Sequence, residues 1–319
     1  MADESATRLF GVINVHKPAG VTSRDVVNVV QKLVRPARVG HAGTLDPMAT
    51  GVLLVCVGPA TRLVSILQQA PKTYRAEFRL GERSDTDDST GQVQVTSEVG
   101  NVPLDDITAV LKHFLGVVEQ IPPAFSAVKV QGRRAYMMAR AGEDVSLQPR
   151  PVRIDSIDVL NYQWPFLDVE ICCGSGTYIR SIARDLGERL GCGGLMSGLV
   201  RTGIGEFNLA NAVAPDDLSL DNIAESVLPA VNVVRHVSEY RCSESEQKLV
   251  ARGGSFELQK SQFTKRTFEA DRSADSDSVS KTPPVALVSD CGGELLALAE
   301  IRRQGRRIQP RTVFMSGTN

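Results

Sequence analysis

The chain has 319 residues, more than one domain ordinarily holds, so a large domain followed by a small one is the default expectation. Its hydrophobic content of 42% is ample for a packed core, while a formal net charge of −1 excludes a uniformly basic nucleic-acid binder and leaves only local clusters of cations for such a role. Its six cysteines lack C-x-x-C spacing, and there is neither a long apolar run nor a basic-then-apolar leader, so no zinc tetrad or membrane span is expected and the protein should be soluble and cytoplasmic.

In chain order, Gly11-Val-Ile-Asn-Val15 reads as a short strand. Thr22-Ser-Arg-Asp25 has the form of a capping box, after which Val26, Val27, Val30, Leu33 and Val34 recur at helical spacing until Pro36 stops the helix. The heptapeptide Gly43-Thr-Leu-Asp46-Pro47-Met-Ala49 then forms a rigid turn, because Gly43 permits backbone angles that other residues avoid and Pro47 fixes its own φ and biases Asp46 away from the helical region. Residues 52–57 follow as a fully buried strand and 61–67 as a short helix. Residues 74–80 alternate, with Tyr74, Ala76, Phe78 and Leu80 on one face of a half-buried strand.

Asp85-Thr-Asp-Asp-Ser-Thr-Gly91 is rich in carboxylates, but as a calcium loop it would place Thr90 where glycine is needed and Thr96 where glutamate is needed. It reads as a polar turn near the face that carries Asp46. Residues 105–115 have helical spacing, 167–171 alternate as a strand, and 177–190 form a helix through Ile179, Ile182, Ala183, Leu186 and Leu190 that ends at Gly191. Alternating rather than continuous apolar strands favour an α+β fold, a mixed or antiparallel sheet flanked by helices.

Near Asn232 the character changes, which divides the chain into residues 1–231 and 232–319. In the second part Ser243-Glu-Ser-Glu246 opens a helix that ends at Gly253-Gly254, and residues 260–281, nearly free of apolar side chains, read as a mobile surface loop. Two strands around the turn Asp290-Cys-Gly-Gly293 complete a small β-rich module.

A carboxylate held rigidly at the mouth of a core strand is a candidate catalytic group, although Asp-Pro is also ordinary turn chemistry. No phosphate-binding G-x-x-x-x-G-K-[ST], no G-x-G-x-x-G and no H-E-x-x-H occurs, so neither cofactor nor metal is expected. Taken alone, Arg180 reads as a surface residue beside Ile179, Tyr74 and Leu199 as core, and Lys17 as a solvated strand end or as a group that holds the site's hydrogen bonds together.

Three stretches change the weighting. Lys17-Pro-Ala-Gly-Val-Thr-Ser23, His41-Ala-Gly-Thr-Leu-Asp46-Pro47 and Gly176-Thr-Tyr-Ile-Arg-Ser181, in this order, resemble the bacterial tRNA pseudouridine-55 synthases of the TruB type, and the resemblance spans about residues 11–207. It implies isomerisation of uridine 55 in the T loop of tRNA to pseudouridine after the target base is flipped out, with no cofactor, no metal and no obligatory protein partner.

By the same resemblance Asp46 is the catalytic carboxylate, acting as nucleophile or as base, and Arg180 is its ion-pair partner. Tyr74 would stack the target uracil, Tyr178 and Leu199 would line its pocket, His41 would contact the RNA, and Lys17 would support the site. The segment from Gln120 to Tyr136 resembles the family's tRNA-gripping insertion, about residues 120–150, with Lys129, Arg133 and Arg134 for phosphates. The C-terminal part is expected to be a PUA-like RNA-binding domain. Val200 stands where the family usually has arginine, and Leu195 where histidine is common. A guide-RNA-dependent pseudouridine synthase and a tRNA-folding helper without essential catalysis are the competing readings.

Overall fold

A computed structural model of the chain describes residues 9–96, 100–126, 128–130, 132–265, 284–291, 293–302 and 306–315. Among these, ten strands form one mixed sheet whose main path runs Leu228–Pro229, Gly11–Lys17, Thr50–Val57, Gly194–Ile204, Lys72–Leu80, Phe166–Cys173, Arg150–Gln163 and Gly116–Gln120. Neighbours along this path are antiparallel except Gly194–Ile204 against Thr50–Val57, which is parallel. Helices Leu104–Leu111 and Ile179–Arg189 pack over Tyr74, Phe78 and Ile171 in the largest apolar cluster. The fold is therefore α+β.

Local chemistry explains the elements that carry the site. Helix Ser23–Leu33 starts at the expected box: Asp25 N–H donates to Thr22 Oγ1 at 3.2 Å and Thr22 N–H donates to Asp25 Oδ2 at 2.9 Å. Strand Lys72–Leu80 buries Tyr74, Ala76, Phe78 and Leu80, as period-two alternation requires. The parallel contact depends on Gly51, which pairs with Arg201 at φ 104°; a Cβ there would lie 2.2 Å from the Arg201 carbonyl oxygen.

A second sheet of six strands runs Phe256–Glu257, Arg307–Val313, Leu295–Arg302, Val285–Ser289, Ser238–Cys242 and Phe263–Thr264, with helix Glu244–Ala251 against it. The two sheets share a core in which Leu54 and Leu63 join Val288, Leu298 and Phe314. The loop expected over 260–281 does not hold for its first residues. Lys260–Gln262 is a 3-10 turn and Phe263–Thr264 pairs with Glu239 and Tyr240, because Phe263 packs on the second sheet's core. Residues 266–281 lie outside the described residues.

Candidate active site

The turn that carries Asp46 is anchored at every step. Ala42 N–H donates to the Leu54 carbonyl at 2.9 Å, Leu45 N–H donates to Ser23 Oγ at 2.9 Å, and Ala49 N–H donates to the Asp46 carbonyl at 3.1 Å. Lys17 is fully buried, and its ammonium donates to the carbonyls of Pro18, Val21 and Pro47 at 2.8, 2.7 and 3.2 Å. This satisfies all three of its donors, one of them on the residue after Asp46, so Lys17 is not a solvated strand end. Gly43 sits at φ 105°, which a side chain would strain.

Opposite the turn, Arg180 projects from the first turn of helix Ile179–Arg189. Its Nε lies 3.1 Å from Asp46 Oδ2 and its Nη1 lies 3.1 Å from Asp88 Oδ2. Nη1 also donates to the Thr86 carbonyl at 3.0 Å and Nη2 to the Phe125 carbonyl at 3.2 Å. Arg180 is 6% exposed, so the surface alternative does not hold for this side chain.

Asp88, itself buried, was not singled out by sequence. Its Oδ1 accepts Thr86 Oγ1, Thr90 N–H and Thr90 Oγ1 at 2.7, 3.0 and 2.5 Å, so the Thr-rich turn serves to hold a second carboxylate on Arg180. Burial pushes the Asp46 carboxyl above its ordinary range; Arg180 and Lys17 pull it down and Asp88 adds to the rise. The Asp46 side chain remains 37% exposed, open to an incoming group while fixed from behind.

Tyr74 faces this constellation from the neighbouring strand, 9% exposed and in register with Arg201. Arg201 is the other group that nothing local in the chain singles out. Only 2% exposed, it donates from Nε to the Val52 carbonyl at 2.7 Å and from Nη2 to the Gly43 carbonyl at 3.1 Å. Burial raises the Tyr74 phenol above its usual range, and Arg201 opposes that rise.

The remaining predicted residues fall into two groups. His41 closes the strand before the turn; burial lowers its imidazole, with the cations Arg201 and Arg24 adding to that fall and a Gly43 backbone hydrogen bond opposing it. Tyr178 caps helix Ile179–Arg189, with the Arg150 guanidinium 4.9 Å above its ring, and Leu199 packs half-buried on the apolar cluster that holds Leu45 and Tyr74. Along the chain, His41 leads into the Asp46 turn and Tyr178 lies two residues before Arg180. Lys129, Arg133 and Arg134 instead lie exposed on a small hairpin, where Arg133 makes a bidentate pair with Glu143 at 2.9 and 2.7 Å. Among the described residues no group of His, Cys, Asp and Glu side chains could hold a metal ion, and no helix is long and apolar enough to cross a membrane.

The class of protein that carries this carboxylate, arginine and tyrosine is given by its matches to known proteins. Residues 31–179 match the TruB family pseudouridylate synthase N-terminal domain, and residues 180–231 match the tRNA pseudouridylate synthase B C-terminal domain. The chain is 38% identical over 243 residues to tRNA pseudouridine synthase B of Clostridium tetani, covering 76% of this chain and 84% of that one. It is 46% identical over 213 residues to tRNA pseudouridine synthase B of Mycobacterium tuberculosis, covering 66% and 72%. Its fold is similar to that in a crystal structure of a Cbf5-Nop10-Gar1 complex, with a TM-score of 0.73 at 28% identity over 97% of this chain and 86% of that chain. The chain belongs to the TruB family of pseudouridylate synthases, which makes it an isomerase.

Proposed function

We propose that the chain is a stand-alone tRNA pseudouridine synthase that converts uridine 55 in the T loop, acting in the cytoplasm without cofactor or protein partner. The observation that carries the reading is the Asp46–Arg180 pair, 3.1 Å long, with Asp46 in the stretch that matches the family's N-terminal domain and Arg180 in the stretch that matches the C-terminal one. Curated relatives named tRNA pseudouridine synthase B supply the substrate class.

The reaction breaks the N1–C1′ bond, turns the uracil and joins C5 to C1′, moving one proton from C5 to N1 with no net redox change. Asp46 either attacks the sugar or removes a proton, and both roles need it ionised, which Arg180 favours against burial. Extruding the uridine costs a few kcal/mol and one stack on Tyr74 returns about 1–3 kcal/mol. Phosphate contacts must supply the rest, and in this reading they come from Lys129, Arg133 and Arg134 together with a PUA-like domain over residues 232–319. Tyr178, Leu199 and His41 would line the space around the flipped base.

The guide-RNA-dependent reading is favoured by one observation, the likeness to the Cbf5-containing complex. That likeness stands at 28% sequence identity, below the 38% and 46% of the tRNA-named relatives. Incubating the purified chain alone with an unmodified tRNA transcript and mapping pseudouridine separates the two. Modification of position 55 without added RNA supports the proposal; modification only with a guide RNA overturns it.

A further inference from the structure

Helix Ile179–Arg189 and the residue that caps it hold more than the catalytic pair. The Gln120 amide exchanges two hydrogen bonds with the backbone of Tyr178, at 3.0 and 2.8 Å. Ser181 Oγ and Arg184 Nη2 both donate to the Ile121 carbonyl at 2.9 Å, and Arg180 donates to the Phe125 carbonyl. The root of the insertion is thus bonded to the helix that carries Arg180.

Arg184 lies one helical turn after Arg180, on the same side of the helix. Its Nη1 lies 2.8 Å from Asp87 Oδ2, while its Nε donates to Asp185 at 2.8 Å and so fixes the plane of the guanidinium. Asp87 precedes Asp88, the second carboxylate on Arg180. With φ 60° it is the one residue other than glycine in the left-handed region among those described. A non-glycine residue keeps that conformation only where its surroundings over-determine it. Here the determinants are the Arg184 ion pair and the Met196 N–H, which donates to the Asp87 carbonyl at 3.1 Å.

Resting on the pseudouridine synthase reading, we infer that Arg184 is a positioning residue, which clamps the insertion root to the Asp87–Asp88 turn and so keeps Arg180 trained on Asp46. One edge of its fork holds Asp87 and the other holds Ile121, a span that a single ammonium does not reproduce. Cutting the clamp frees Asp87 to leave its left-handed conformation, which moves Asp88 and unbalances Arg180. RNA held by the insertion would then no longer be registered against the catalytic carboxylate.

The test uses the full chain in excess over unmodified tRNA transcript, with single-turnover rates, tRNA Kd and Tm measured for each variant. Arg184→Met is expected to slow the single-turnover step by about tenfold to a hundredfold, the scale of a small misplacement of catalytic groups. Its Kd should stay within about threefold, and Arg184→Lys should recover only part of the rate. Asp87→Asn should reproduce the loss, and Arg184→Met with Asp87→Asn should be no slower than the worse single variant, as expected for residues acting as one unit. Rates taken well below each variant's Tm keep the comparison on folded protein. An Arg184→Met rate within about twofold of wild type, a loss confined to Kd, or additive losses in the double variant would each overturn the inference. Wild-type protein that forms no pseudouridine would instead overturn the functional reading on which it rests.

Discussion

Replacing Arg180 by methionine keeps much of the side-chain volume and removes the cation that two carboxylates share. Asp88, with 5% of its side chain exposed, is left as a buried charge without its counter-ion. Removing one partner of a buried pair costs ~3–5 kcal/mol, mostly from the stranded charge. Asp46, 37% exposed, adds less because solvent screens it. At roughly 2–4 °C per kcal/mol for domains somewhat smaller than this one, the expected fall in Tm is about 6–20 °C. The origin of the loss is tested by adding Asp88→Asn, which neutralises the stranded group. The double variant should recover about half of the lost Tm or more, yet remain inactive because Asp46 still lacks its cation. Calorimetric melts and single-turnover rates on the two variants check both halves. An Arg180→Met protein melting within about 2 °C of wild type, or no recovery on adding Asp88→Asn, would refute the reasoning.

Other outcomes follow from the same geometry. Tyr74→Leu should lose ~1–3 kcal/mol of base stabilisation while Tyr74→Phe keeps base binding; collapse of the single-turnover rate in Tyr74→Phe would assign the chemistry to the hydroxyl. Asp46→Asn should melt above wild type at pH 7. Burial raises the folded carboxyl's pKa, so ionisation costs stability as pH rises through it, and the gap between the two proteins should close as pH falls below the ordinary carboxylate range. A variant that melts below wild type at neutral pH contradicts that sign. Lys129→Ala and Arg134→Ala should each reduce the slope of log Kd for tRNA against log[salt] by about 0.7–0.9, and Arg133→Ala by less, since Arg133 must first give up Glu143. Unchanged slopes in all three would make the hairpin a bystander.

The elements with clean periodicity were legible from the chain: the capped helix Ser23–Leu33, the alternating strand Lys72–Leu80 and the helix Ile179–Arg189. Strands Arg150–Gln163 and Gly194–Ile204 were not, because register shifts at Ile154/Ser156, Val159/Asn161, Met196/Gly198 and Arg201/Gly203 break the alternation that marks a strand. At the site, Asp46 could be read locally because glycine and proline fix its turn. Arg180 could not, since it sits off the Ile179–Ile182–Leu186 stripe and is buried by the Asp46 turn, the Thr86–Asp88 turn and the backbone at Phe125 folding over it. Asp88 and Arg201 have partners 92 and 149 residues away, and no sequence period encodes such pairings. Asp88 lay inside a stretch recognisable only as a polar turn, and Arg201 inside a strand that the bulges disguised.

The central claim is that a carboxylate at Asp46, paired with Arg180, carries out the isomerisation. The most direct measurement is single-turnover pseudouridine formation on an unmodified tRNA transcript by wild type and Asp46→Asn, with tRNA Kd measured in parallel. Asparagine keeps the shape of the turn and removes the charge, so the rate should fall by at least ~10⁴ while Kd stays within about tenfold. Folded Asp46→Asn protein that modifies tRNA at a rate near wild type would contradict the account.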